Sequence, residues 1–150
     1  SGVDRRKTYR RKIKKIVGFT FSCFDLLNAV HLIMLKDYKQ QCDKLIVGLQ
    51  TDPSIDRPLT KNTPIQTLEE RKIQLEAVRY IDDIHVYDTE DSLIDLIKLV
   101  KPDIRILGSD YEGKPFTGDF LNIPIHFHER DHDYSSTNLR KMIYNRESTK

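Results

Sequence analysis

The sequence predicts an α/β protein, a five-stranded and mostly parallel sheet flanked by helices. Short apolar runs of strand type alternate along the chain with longer runs of helical periodicity. One of the short runs, Lys44 to Leu49 (K-L-I-V-G-L), is continuously apolar after its first residue, as expected for a strand covered on both faces. Strands separated by helices define βαβ units with right-handed crossovers, and these build parallel sheets.

Each element follows from a local pattern. Ile13 to Phe21 reads as strand one. Ala29 to Gln40 carries Val30, Leu32, Ile33, Met34, Leu35 and Tyr38, the pattern of a largely buried helix. Lys44 to Leu49 is strand two. Residues 51–64 hold three prolines and no periodicity, so they form a long loop, and such loops inside a compact domain are usually functional. Thr67 opens a helix with Glu69 and Glu70 in its first turn, where carboxylates suit the positive end of the dipole. Leu68, Ile73, Leu75, Ala77 and Val78 carry it to about Tyr80. Asp83 to Tyr87 is strand three. Ser92 to Val100 is a helix stopped by Lys101-Pro102. Asp103 to Leu107 is strand four, residues 108–122 a polar loop, and Ile123 to Phe127 strand five. A final helix, capped by Ser135 or Ser136, runs through Ile143.

The 150 residues suit one ordinary domain with a real core. At 38% hydrophobic and 32% charged, the composition is that of a soluble globular protein on the polar side. No apolar run approaches the ~18 residues of a membrane span. Cys23 and Cys42 have no framework spacing, so reduced thiols in a cytoplasmic setting are expected. Charge is unevenly placed: Asp4 to Lys15 holds eight Lys or Arg among twelve residues, and residues 16–150 carry a net charge of −5. We therefore divide the chain into a basic arm at 1–15, a domain at 16–145 and a tail at 146–150. The arm reads as a solvated lead-in; contact with nucleic acid or membrane is the sharper alternative.

In a parallel sheet of this kind, ligands bind beyond the carboxyl ends of the strands, at the switch point. Asn28 and His31 lie three residues apart where strand one hands over to a helix, so both can face one point. Helix N-termini attract anions through their free N–H groups. Arg130 is followed by Ser135, Ser136 and Thr137 at the start of the last helix, a second place of the same kind. A buried histidine and a plain N-cap are the alternatives for the two pieces taken singly. Together with Arg57 and Lys61 on the 51–64 loop, they suggest a polyphosphate held between two helix starts. His126 and His128 share a face of strand five, and with His132 hint at a metal, but no acidic or thiol ligand joins them at a recognisable spacing.

The order and spacing of these pieces closely resemble the small nucleotidyltransferases of the cytidylyltransferase type. Their strand–GTFDLLHxGH–helix stretch stands here as S-C-F-D-L-L-N-A-V-H at 22–31. Q-T-D-P-S at 50–54, E-R-K at 70–72, R-Y-I-D-D-I at 79–84, G-S-D-Y-E-G-K at 108–114 and R-D-H-D-Y-S-S-T at 130–137 follow in the family's order. The resemblance implies a Rossmann-like nucleotidyltransferase fold. It also implies transfer of a nucleotidyl group from a nucleoside triphosphate to a phosphorylated small alcohol, with release of pyrophosphate. It gives catalytic roles to His31, Asn28, Arg57, Lys61 and Arg79. Nucleotide binding falls to Phe21, Cys23, Phe24, Asp25, Gly108, Asp110, Arg130, Ser135, Ser136 and Thr137. Mg²⁺ is the implied cofactor, with Asp25 a candidate ligand, and the family's habit is a homodimer. CTP with glycerol 3-phosphate is the leading substrate pair; ATP with a heptose phosphate is the alternative, since S-C-F-D, G-S-D-Y and D-Y-S-S-T also resemble heptose-phosphate adenylyltransferases.

Two positions depart from the family pattern. Asn28 replaces the first histidine of HxGH and can donate a hydrogen bond without carrying charge. Val30 replaces its glycine and adds bulk where a ligand would approach the backbone. A slow enzyme, an enzyme with another substrate and a silent nucleotide-binding module are all compatible with these changes. The E-R-K arginine, Arg71, is expected only to anchor a loop to its helix.

Overall fold

In the computed structural model, which describes residues 14–129 and 135–150, the first strand starts where two carboxylates take charge of its leading amides. Ile16 donates its N–H to Asp43 Oδ2 at 2.7 Å and Val17 donates to Asp103 Oδ2 at 2.9 Å. Strand β1 is therefore Val17–Ser22, four residues later than the apolar run beginning at Ile13 suggested. Lys14 Nζ pairs with the other oxygen of Asp103 at 2.7 Å. The rest of the basic arm, residues 1–13, lies outside the described residues.

The remaining elements are α1 (Ala29–Gln40), β2 (Lys44–Gln50), α2 (Leu68–Glu76), β3 (Asp83–Tyr87), α3 (Glu90–Val100), β4 (Ile104–Gly108), β5 (Ile125–His128) and α4 (Ser136–Ser148). Helix α1 and strand β3 have the bounds their sequence patterns gave. Helix α3 begins at Glu90, two residues before the Ser92 at which its pattern started, because Thr89 caps it; the Thr89 and Ser92 side chains satisfy each other's backbone N–H groups in a capping box. Strand β5 begins after Pro124, which has no N–H to give a ladder. Helix α4 continues to Ser148, so residues 146–148 extend a helix instead of opening a tail. Among the described residues, no helix is long and apolar enough to cross a membrane.

The five strands form one sheet in the order β3-β2-β1-β4-β5, every pair parallel. Connections run outward from β1 in one direction through β2 and β3, and in the other through β4 and β5. The switch point lies between β1 and β4. Side-chain alternation along β2 sends Leu45, Val47 and Leu49 to one face, where Leu35, Tyr38, Leu75 and Ile106 bury them beneath α1 and α2. Ile46 points to the other face and packs with Phe19, Tyr87, Leu93 and Ile97 beneath α3. Burial on both faces is the physical reason this strand is apolar without interruption.

Gly48 in β2 marks a close approach of layers. A Cβ built there would lie 3.1 Å from the Phe19 ring, 3.2 Å from the Tyr87 ring and 3.3 Å from Phe21 Cβ. Gly48→Ala is expected to destabilise the fold by about 1–3 kcal/mol through overpacking. Urea denaturation checks this; an unchanged midpoint contradicts the packing described.

Candidate active site

The turn from β1 into α1 is held in an uncommon backbone shape. Phe24 and Leu26 both have positive φ, at 48° and 51°, a region that costs non-glycine residues about 1–3 kcal/mol each. Surrounding groups fix that shape. Asp25 accepts from Ile65 N–H and Gln66 N–H, both at 2.9 Å. Leu26 N–H donates to Gln66 Oε1 at 2.8 Å. Arg71, 2% exposed on α2, donates to four carbonyls: Cys23 (2.9 Å), Gln50 (2.6 Å), Thr51 (2.7 Å) and Gln66 (3.2 Å). Its expected role as a loop anchor is what the geometry gives.

This places α1 with Asn28 as its N-cap. Asn28 Oδ1 accepts from Val30 N–H at 3.0 Å, and Asn28 N–H donates to His31 Nδ1 at 3.1 Å. With Nδ1 accepting, the proton of a neutral His31 sits on Nε2, to which no described residue offers an acceptor. Burial lowers the His31 pKa below the ordinary imidazole value, with the Asp25 carboxylate acting in the opposite direction. The ring lies 5.8 Å from that of Phe24.

The second helix start is in contact with the first. Asn28 Nδ2 donates to Leu26 O at 2.7 Å and to Ser136 Oγ at 3.1 Å. Ser135 caps α4 by accepting from Asn138 N–H at 3.2 Å, and Thr137 Oγ1 accepts from Arg140 at 3.4 Å. The two starts expected to share an anion thus meet directly. Asn28 acts here as a cap and a bridge, its two amide hydrogens already donated within the protein. Arg130 and His132 lie outside the described residues. At the end of β4, a Cβ added to Gly108 would meet nothing within 4 Å, leaving open ground at the switch point beside exposed Asp110.

A cavity of about 180 Å³ opens against the Ser22–Cys23 segment. Phe21, Cys23, Tyr87, Phe116 and Thr117 line it, with the cations Arg57 and Lys61 set beside the carboxylates Asp56 and Glu90. The 51–64 loop is tethered to the start of α3: Asp56 accepts from Glu90 N–H at 2.7 Å and Arg57 pairs with the Glu90 carboxylate. Glu90 and Tyr87 escaped the sequence reading, because nothing in a short strand and a helix start marks them as cavity walls. Arg79 is not brought to this group. It follows α2 on the edge where strands begin, is exposed, and donates to the Tyr80 hydroxyl at 3.1 Å.

Both Asp25 oxygens accept backbone N–H bonds, so the carboxylate anchors a loop. Asp37 of α1 is the acidic partner that spacing did not reveal for the strand-five histidines. Its Oδ2 accepts from His128 Nδ1 at 2.7 Å and from His126 Nε2 at 3.3 Å. Burial pushes the Asp37 pKa up, and the two histidines outweigh it and hold it below the usual carboxylate value. Among the described residues, no three His, Cys, Asp or Glu side chains are arranged to hold a metal ion.

A parallel sheet with two helix starts joined at its switch point, a histidine donor beside them and a cavity lined by paired charges next door defines a nucleotide-handling α/β domain. The Cytidylyltransferase-like family model matches residues 19–142, and the chain belongs to that family of nucleotidyltransferases. The chain is 39% identical over 115 residues to the bifunctional protein HldE of Wolinella succinogenes, covering 77% of this chain and 24% of that protein. It is 33% identical over 133 residues to HldE of Campylobacter concisus, covering 89% of this chain and 28% of that protein. The chain thus spans about a quarter of the length of these curated relatives. Among solved structures, the lipopolysaccharide core biosynthesis protein of Thermoplasma volcanium superposes with a TM-score of 0.62 at 24% identity, covering 81% of this chain and all of that one. A pantoate-beta-alanine ligase from Francisella tularensis has a TM-score of 0.59 at 18% identity, covering 89% of this chain and 69% of that one. These two likenesses establish the Rossmann-like fold.

Two outcomes check this geometry. Arg71→Ala is expected to cost roughly 3 kcal/mol or more by denaturation, since it strips a charged donor from four carbonyls at once; a loss under about 1 kcal/mol contradicts the anchoring role. For His31 the folded pKa lies below the unfolded value of 6.5, so the unfolded state takes up protons first. Stability therefore falls as pH drops below about 6.5. His31→Gln should flatten that fall in a comparison of urea midpoints at pH 7.5 and pH 5; an equal fall in both proteins contradicts a neutral, desolvated His31.

Proposed function

We propose that this domain transfers an adenylyl group from ATP to a sugar 1-phosphate of the heptose type, forming a nucleoside diphosphate sugar and pyrophosphate. One observation carries the reading: the Asn28–Ser136 hydrogen bond joins two helix starts, with the unaccepted Nε2 proton of His31 beside them. The resemblance of S-C-F-D, G-S-D-Y and D-Y-S-S-T to heptose-phosphate adenylyltransferases, together with the HldE relatives, supports ATP and a heptose phosphate over CTP and glycerol 3-phosphate.

In this reading the β- and γ-phosphates rest on Ser135, Ser136 and Thr137, and the α-phosphate lies near His31. The acceptor occupies the cavity between Phe21, Tyr87 and Phe116, its phosphate drawn by Arg57 and Lys61. An acceptor phosphate oxygen attacks the α-phosphorus in line. The bond to the bridging oxygen breaks, and pyrophosphate leaves with its new charge met by the Nε2 proton of His31. Such a reaction needs alignment and charge stabilisation more than covalent help from the protein. A neutral imidazole suits the task, because its one free proton points outward while Nδ1 is fixed by the backbone. A divalent ion would arrive with the nucleotide, bound by phosphate oxygens and water.

The test is pyrophosphate release by the purified chain with ATP or CTP, each paired with a heptose 1-phosphate or glycerol 3-phosphate. The expected result is fastest release with ATP and the heptose phosphate, and a drop of about 10²–10³-fold in kcat for His31→Ala. Faster release with CTP and glycerol 3-phosphate would replace this assignment with the cytidylyl one. Nucleotide binding without release would make the domain a silent binding module.

A further inference from the structure

Arg105 in the middle of β4 has no place in the mechanism above, and stability does not account for it. Its side chain is 1% exposed, on the sheet face otherwise filled by Phe19, Leu93 and Ile97. Among the described residues the guanidinium makes one hydrogen bond, from Nη2 to Thr117 O at 2.8 Å. Nε and Nη1 are sealed from solvent and have no partner among those residues. No carboxylate pairs with it among the described residues, although Asp119 is near enough to oppose the effect of burial on its charge. A buried cation so poorly satisfied costs stability that an aliphatic side chain of similar size would avoid. A sequence that breaks a packing rule in this way does so for a site.

What Arg105 touches identifies the site. Its guanidinium carbon lies 5.8 Å from the Phe21 ring centroid and 5.3 Å from that of Phe116. Phe21, Phe116 and Thr117 all line the cavity beside Arg57 and Lys61. Gly118 closes the turn behind them at a φ of 74°, and a Cβ there would come 3.1 Å from Arg105 Nη1. The guanidinium plane is thus the support on which the Phe116–Gly118 wall rests. Its charge, in surroundings of low dielectric, adds to the field drawing an anion into the cavity.

We propose that Arg105 is a positioning residue for the acceptor half of the site: by holding Phe116 and Thr117 in place beneath a buried positive charge, it sets affinity for the phosphorylated acceptor and not for the nucleotide. This rests on the assignment of the cavity to the acceptor. Arg105→Leu removes the charge and the planar support; Arg105→Lys keeps the charge alone.

The experiment measures KM for each substrate, together with Tm, for the wild type and both variants. Arg105→Leu is expected to raise the acceptor KM at least tenfold, leave the nucleotide KM within twofold, and keep or raise Tm, since an unpaired buried cation is gone. Arg105→Lys is expected to give an intermediate acceptor KM. An acceptor KM within twofold of wild type, or a fall in Tm with both KM values rising together, overturns the proposal. If the wild type releases no pyrophosphate, the transfer reading fails on its own. Calorimetric binding of heptose 1-phosphate and glycerol 3-phosphate then decides the role of Arg105: at least tenfold weaker binding by Arg105→Leu supports it, while equal binding, or none by the wild type, overturns it.

Discussion

The four hydrogen bonds of Arg71 are the constraint on which the site depends. Strand ends in a parallel sheet leave their carbonyls without partners, and three segments come together here: the start of the loop after β1 and the two ends of the long loop that runs from β2 to α2. A single buried guanidinium answers carbonyls from all three, at Cys23, Gln50, Thr51 and Gln66. Its planar fork and permanent charge allow this; a lysine would offer one point charge and no fork. With Asp25 bridging to Ile65 and Gln66, the arrangement holds Phe24 and Leu26 in the left-handed conformations that bring α1 in at the right angle. Strain at the turn is sustained by bonds elsewhere, a pattern found where geometry serves function.

Once α1 is placed, its first residues satisfy one another. Asn28 caps the helix, orients the imidazole through its own N–H and reaches Ser136 with its amide. A histidine at position 28 could add charge, but it could not cap with an oxygen and bridge with an amide nitrogen in the same way. The substitution therefore exchanges electrostatic strength for a fixed link between two helix starts. Val30 is half-buried, and its N–H is taken by Asn28, so that amide belongs to the cap and not to a ligand.

Much of this was legible in the sequence because the periodic elements are long and their ends carry strong signals. Helix α1 and strand β3 could be bounded residue by residue, and Thr67 with Glu70 announced the start of α2, although the helix ends at Glu76 and not near Tyr80. That the starts of α1 and α4 share the carboxyl edge followed from topology; the direct bond from Asn28 to Ser136 across it did not. Errors arose where a tertiary partner outranked a local pattern. Ile13 to Ile16 looks like strand, but Asp43 and Asp103 set the start of the ladder. Arg79 looked like a site cation, yet α2 ends on the far edge and carries it away. Asp37 and Arg105 could not be found by spacing at all. One completes a histidine pair from 89 residues away, and the other sits in a strand pattern, D-I-R-I-L, that gives no hint of what its guanidinium rests against.

The central claim is that a triphosphate lies across the joined starts of α1 and α4. A crystal structure of the chain with a non-hydrolysable ATP analogue tests it most directly. Terminal phosphates are expected against Ser135–Thr137, with the α-phosphate within hydrogen-bond reach of His31 Nε2. Phosphates found instead in the cavity between Phe21 and Tyr87, with the two helix starts empty, would contradict it.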